Sequence, residues 1–229
     1  MAARRGDARA ARPVKPLLAL FDVDGTLFLT HDPLSSEALL ETLREVYPAD
    51  PADDAVERVD HAGQTAKRNA RLVLRAEGLD DRAIDAQLDA WCGCFAERYV
   101  ELLAGADTSG WEATPGASEA LERLAAAGIR LALLTGNPET MARARMERLG
   151  LERFFPPGQG AFGCDAESRV DLIDLARARA GGWPADATVE LGDTRRDEES
   201  ARAAGIRAIH VDARRFEAVA DRLLDWAER

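Results

Sequence analysis

The sequence predicts a doubly wound, parallel α/β core interrupted by an all-helical cap domain. Short apolar runs ending in acidic or hydroxyl residues recur along the chain, helix-period segments separate them, and one block, residues 32–112, holds helical patterns without a convincing strand. Buried strands alternating with helices imply right-handed βαβ units and a sheet covered on both faces.

Taken in order, residues 1–16 carry five basic residues against one acid and are broken by Gly6, Pro13 and Pro16, which reads as a flexible basic tail. They lack the apolar stretch of a secretory signal. The run LLALF (Leu17 to Phe21), bounded by Pro16 and Gly25, is expected to be a buried strand. Similar strands are expected at IRLALLT (Ile129 to Thr135), TVELGD (Thr188 to Asp193) and IRAIHV (from Ile206, ending in Asp212). Helices are expected at ASEALERLAAAG with Gly128 as its stop, at PETMARARMERLG with Pro138 in its first turn, and at SRVDLIDLARARAGG closed by Gly181. Within the inserted block, SSEALLETLREV, QTAKRNARLVLRAEG and a long RAIDAQLDAWCGCFAERYVELLAG read as helices. In the last, Ile84, Leu88, Trp91, Phe95, Tyr99 and Leu102 make one apolar face that is expected to be core. The expected division is a tail over 1–16, a core over 17–31 and 113–229, and a cap over 32–112, with hinges near 30–34 and 110–116 around Pro33 and Pro115.

The chain has 229 residues, 46% of them hydrophobic, enough for one such domain with its insertion. A net charge of −11 argues against nucleic acid as a partner, since a phosphate backbone is repelled by such a surface. The longest apolar run is far short of the ~20 residues of a membrane span. Three cysteines, Cys92, Cys94 and Cys164, form an odd set without a zinc-site pattern, so plain thiols in a reducing, cytoplasmic setting are expected. A monomer or homodimer is expected.

In open parallel sheets the binding crevice lies outside the carboxyl ends of the strands. Asp22 and Asp24 follow the first strand, Thr135 ends the second and Asp193 follows TVELG. A single residue of this kind is often a cap or turn residue; several on one edge make a site. The three carboxylates offer the hard oxygen cluster that Mg²⁺ prefers, and the metal would screen an incoming phosphate dianion from them. Gly25 lets the backbone turn sharply. Thr135 offers a hydroxyl, and Arg169 a guanidinium able to grip two phosphoryl oxygens.

The strings FDVDGTL (from Phe21), LLTGN (from Leu133), the basic residue in DAESRVDLI and LGDTRRDEESARAAGIRAI (from Leu191) resemble the four ordered motifs of the haloacid dehalogenase superfamily, whose core is Rossmann-like. TPGASEALERLAAAGIRLALLTGN and GAFGCDAESR resemble its phosphoglycolate-phosphatase-like branch. The resemblance implies a phosphatase of a small phosphorylated metabolite, with Asp22 as nucleophile forming an aspartyl-phosphate and Asp24 as acid and then base. It implies Mg²⁺ held by Asp22, the Asp24 carbonyl and Asp193, with Asp197 orienting a metal-bound water or bracing Arg169. Thr135, Arg169 and the backbone near Gly25, Gly136 and Asn137 would stabilise the phosphoryl group. Asp24 favours phosphate over halide chemistry, because halide leaves without a proton. A phosphomutase and a phosphate-binding module without turnover are the rival readings.

Departures from the resemblance concentrate in three places. Arg169 stands where much of the superfamily has Lys. Arg195 replaces a frequent Pro and reads as a solvated residue, and Cys164 takes no role. HAGQTAKRN (His61 to Asn69) resembles the substrate-facing loop of the cap, with Gln64 and Ala66 in place of an Arg and an Asp. Lys67 or Arg68 supplies a cation to the substrate there, or both lie on a solvated helix face. His31 touches substrate or belongs to the loop capping a helix that begins near Ser35 or Ser36; His61 is similarly open, and His210 is expected to be structural.

Overall fold

The computed structural model describes residues 16–228, so the basic tail lies outside the described residues apart from Pro16. Five strands, β1 (Leu18–Phe21), β2 (Arg130–Thr135), β3 (Ala161–Phe162), β4 (Thr188–Gly192) and β5 (Arg207–His210), pair in parallel in the order β3-β2-β1-β4-β5. The chain runs outward from β1 to β2 and β3, then crosses back to β4 and β5. Its direction therefore reverses between β1 and β4, which opens a crevice at their carboxyl ends.

Burial of β1 on both faces explains its unbroken apolar sequence. Ala19 and Phe21 enter one hydrophobic cluster, with side chains of α5 (Ala117–Ala126), α6 (Glu139–Arg148) and α9 (Phe216–Glu228). Leu18 and Leu20 point the other way, into a second cluster with α7 (Arg169–Arg179) and α8 (Arg195–Ala203). Register places Phe21 opposite both Leu133 of β2 and Leu191 of β4. The residues that follow these strands consequently emerge together.

Four helices fill the block between β1 and α5: α1 (Pro33–Val46), α2 (Ala66–Ala76), α3 (Asp81–Asp85) and α4 (Leu88–Ala104). They share a third hydrophobic cluster of their own, joined by Met141 from α6. Of the expected apolar face, Ile84, Leu88, Trp91, Phe95 and Tyr99 are buried, and the neighbouring Leu103 lies deeper than Leu102. Trp91 stacks on Phe95 and donates its indole N–H to Thr42 Oγ1 at 3.0 Å.

Two expectations for this block need correction. The long helix is broken at Ala86 and Gln87, where the Ile84 carbonyl accepts a hydrogen bond from the buried Tyr47 hydroxyl at 2.9 Å. Helix α1 begins at Pro33, with Asp32 as its cap: Asp32 Oδ1 accepts from Leu34 N at 3.1 Å. The two connections to the core are tied to each other. Leu29 N donates to Glu112 O, Glu112 N donates to Thr30 Oγ1, and Phe28 packs edge-on against Trp111.

Candidate active site

Asp22 leaves the end of β1 with its N–H donating to Leu191 O at 2.9 Å, which turns its carboxylate into the crevice beside β4. Asp193 follows β4, and Asp197 sits on the first turn of α8. One carboxylate oxygen from each of the three can be chosen so that all lie within 4.8 Å of one another. The close approach depends on Gly25: its φ is +75°, and a Cβ there would stand 2.2 Å from Asp193 Oδ2. Thr26 Oγ1 donates to Asp193 Oδ1 at 3.5 Å.

Arg169 opens α7 and reaches under this cluster. It contacts Asp197, Glu190 at 3.1 Å and Asp22 at 3.8 Å, and it is almost wholly buried. Asp197 has two tasks. Its Oδ2 accepts from Thr194 N and Thr194 Oγ1 as part of a capping box, while Oδ1 faces Arg169. Burial pushes the Asp22 carboxyl well above the usual carboxylate range; Arg169 opposes this, and Asp197, Asp24 and Asp193 reinforce it. Burial also raises Asp193. Three converging carboxylates, of which burial drives Asp22 and Asp193 toward protonation, form a donor set suited to a divalent cation, whose charge reverses that tendency.

The Asp24 side chain turns away from this cluster. Its Oδ1 accepts from Arg145 Nη1 at 2.7 Å and its Oδ2 from the Asn137 amide. Asn137 also donates to Thr135 Oγ1 at 3.2 Å, so its amide links the ends of β1 and β2. Arg145 continues to Asp32 Oδ2 at 2.8 Å, which Tyr99 OH meets at 2.7 Å. The guanidinium lies over the rings of Phe28 and Tyr99. A chain of contacts thus runs from the core through α6 to α1 and α4.

A cavity of about 450 Å³ opens between the crevice and the helical block, bordered by Asp22, Asp24, Thr135, Arg169 and Asp193 on one side. Gly25, Gly136 and Asn137 also border it. The block is seated on the core through backbone: Ala66 N donates to Gly136 O at 2.7 Å and Lys67 N to Gly163 O at 3.2 Å. Gly136 has no room for a side chain, since a Cβ would lie 2.0 Å from Gln64 O.

Lys67 and Arg68, expected as candidate substrate cations, are not brought to the cavity. The Lys67 ammonium meets Asp89 at 2.6 Å and Arg68 meets Glu167 at 3.2 Å, because α2 turns both toward acids on neighbouring elements. The thiol expectation is also corrected. Cys92 of α4 and Cys164 after β3 form a disulfide across 72 residues, leaving Cys94 as the free cysteine. Residues two positions apart on a helix point about 200° apart, so Cys92 faces the core while Cys94 is only partly buried.

Three residues went unrecognised in the sequence. Glu190 carried a signal: an acid in the middle of an otherwise apolar parallel strand needs a buried partner, here Arg169. Arg145 and Asp32 carried none, since Arg145 is one of several arginines on α6 and Asp32 looks like an ordinary cap.

A family model for haloacid dehalogenase-like hydrolases matches residues 17–205. The chain belongs to that family. It is 36% identical over 202 residues to a phosphoglycolate phosphatase of Rhodospirillum rubrum, covering 85% of this chain and 78% of that one. A phosphoglycolate phosphatase of Mesorhizobium japonicum is 30% identical over 206 residues, covering 86% and 83%. Among solved structures, CbbY from Rhodobacter sphaeroides in complex with phosphate superposes with a TM-score of 0.61 at 23% identity, covering 87% of this chain and 88% of that one. The last likeness is one of fold: a parallel sheet with helices on both faces, and the same family of architecture.

Proposed function

We propose that this hydrolase cleaves small-molecule phosphomonoesters through an aspartyl-phosphate on Asp22, with Mg²⁺ as its metal. It is a phosphoric monoester hydrolase. The observation that carries the reading is the convergence at the β1/β4 crevice of Asp22, Asp193 and Asp197 with Thr135 and Arg169.

Asp22 and Asp193 would hold the ion, with Asp197 bracing Arg169, since each of its oxygens already has a partner. When bound, Mg²⁺ supplies charge that keeps the buried carboxylates ionised and offsets their repulsion of phosphate. The Asp22 carboxylate attacks phosphorus; the P–O bond to the alcohol breaks as the Asp22 acyl phosphate forms. Asp24 gives its proton to the departing alkoxide, then takes one from the water that displaces phosphate from Asp22. To do so it exchanges the hold of Arg145 and Asn137 for the bridging oxygen of the substrate. Thr135 and Arg169 stabilise the spreading negative charge. The helical block acts as a cap that excludes bulk water, and its paired connections are the hinges.

Mg²⁺-dependent phosphate release from p-nitrophenyl phosphate, abolished by EDTA, tests this reading. Asp22→Asn should lower the rate by more than about 10³-fold, remove the acid-stable phosphoprotein seen on quenching, and keep the wild-type circular dichroism spectrum. Full activity in that variant excludes Asp22 as the nucleophile.

A further inference from the structure

We infer that the alcohol portion of the substrate is uncharged and carries several hydroxyl groups, as in a sugar-alcohol or sugar monophosphate, and that a second carboxylate or phosphate is disfavoured. This rests on the phosphatase reading above and concerns the rest of the same cavity.

Charge is the first observation. The described residues bordering the cavity include four carboxylates, Asp22, Asp24, Asp32 and Asp193, but two guanidiniums, Arg145 and Arg169, and no ammonium. Both guanidiniums are engaged: Arg145 spans Asp24 and Asp32, and Arg169 lies among Asp197, Glu190 and Asp22. A divalent cation and a phosphate dianion cancel each other, so the cavity retains no positive charge for a further anion. Nearby cations are also committed elsewhere: Lys67 to Asp89, Arg68 to Glu167 and Arg196 to Asp60. An anion placed here would lose its water without gaining a partner. The imidazoles of His31 and His61 border the cavity from exposed positions, where bulk water screens them.

Polar character is the second. The wall supplied by the helical block presents Ser35, Ser36, Gln64 and Asn69, interleaved with Leu39 and Phe95. Asn69 borders the cavity with an amide that carries donors as well as an acceptor, its Oδ1 itself buried. Serine hydroxyls and the Gln64 amide donate and accept, which suits an alcohol with several OH groups, while the apolar side chains suit its C–H surface. At roughly 30 Å³ per water-sized group, the cavity holds about fifteen such groups, ample for a chain of several carbons.

The test compares kcat/KM with Mg²⁺ for p-nitrophenyl phosphate, sorbitol 6-phosphate, glycerol 3-phosphate, phosphoglycolate and fructose 1,6-bisphosphate. The expected result is at least a tenfold preference for the better of the two polyol monophosphates over phosphoglycolate and the bisphosphate. Equal or greater activity on phosphoglycolate or the bisphosphate, with p-nitrophenyl phosphate hydrolysed, overturns the inference alone. No release from any ester overturns the phosphatase reading and this inference with it. Gln64→Arg adds a cation to the wall and should raise kcat/KM for phosphoglycolate about tenfold; Asn69→Leu should raise KM for the preferred polyol phosphate more than it lowers kcat. No change in either variant also counts against the inference.

Discussion

Glu190 lies at the centre of β4 with no exposed surface, held by Arg169 and by the Ser200 hydroxyl at 3.2 Å. Burial pushes its carboxyl up to about 7 against an ordinary value of 4.5, with Arg169 pulling the other way. Between those values the folded state binds more protons than the unfolded chain, so this contribution to stability is full below about pH 4.5 and is lost as pH rises toward 7. The buried Asp22 and the half-buried Asp193 act in the same direction. The thermal midpoint of metal-free protein should therefore fall by several degrees between about pH 5 and pH 8, and Glu190→Gln should reduce that fall. A pH slope unchanged in the variant would contradict the assignment. At this scale the chemistry-bearing acids Asp22, Asp24 and Asp193 were legible because they end apolar runs. Glu190 was not singled out, because its partner Arg169 lies 21 residues earlier and only folding brings the two together.

Helix α6 shows what an element adds beyond its own sequence. Its buried face contributes Met141 to the helical block and Ala142 and Met146 to the core, so it serves both bodies at once. Arg145 on that helix neutralises Asp32, itself buried, and binds Asp24. Arg145→Ala leaves Asp32 as an uncompensated buried charge and should cost about 3 kcal/mol, read as a lower urea midpoint. Unaltered stability would show that the pair contributes little. Most helices were legible from period and stops: α5, α6 and α7 lie where Gly128, Pro138 and Gly181 placed them. Strand β3, two residues at the sheet edge, gave no run long enough to read, and α8 is so charged that only Asp197, Ser200 and Ala201 are buried.

At the scale of the whole molecule, the helical block and the core are joined by the two connecting segments, by backbone hydrogen bonds from α2, and by Glu167. The last accepts from Arg68 and Arg71 of the cap, while its carbonyl accepts from Thr65 Oγ1 at 2.9 Å. The Cys92–Cys164 bridge adds a covalent tie across 72 residues. On loop-closure entropy such a loop contributes about 4 kcal/mol. Reduction with dithiothreitol, or Cys164→Ser, should therefore lower the unfolding midpoint and increase amide exchange in α4 beyond that in β1. Identical exchange in both forms would mean that the noncovalent contacts alone hold the cap. None of the described helices is long and apolar enough to cross a membrane.

The layered α/β core, the inserted helical block and the acidic residues at the strand ends were readable along the chain, because burial periodicity, stops and caps are local properties that precede folding. Tertiary structure alone decided which charges meet. It turned Lys67 and Arg68 outward to Asp89 and Glu167, drew Arg145 inward between Asp24 and Asp32, and paired two cysteines far apart in the chain. Each outcome depends on where long side chains from separate elements converge, and in a low-dielectric interior a charge is set by its nearest partner in space, not by its neighbours in sequence.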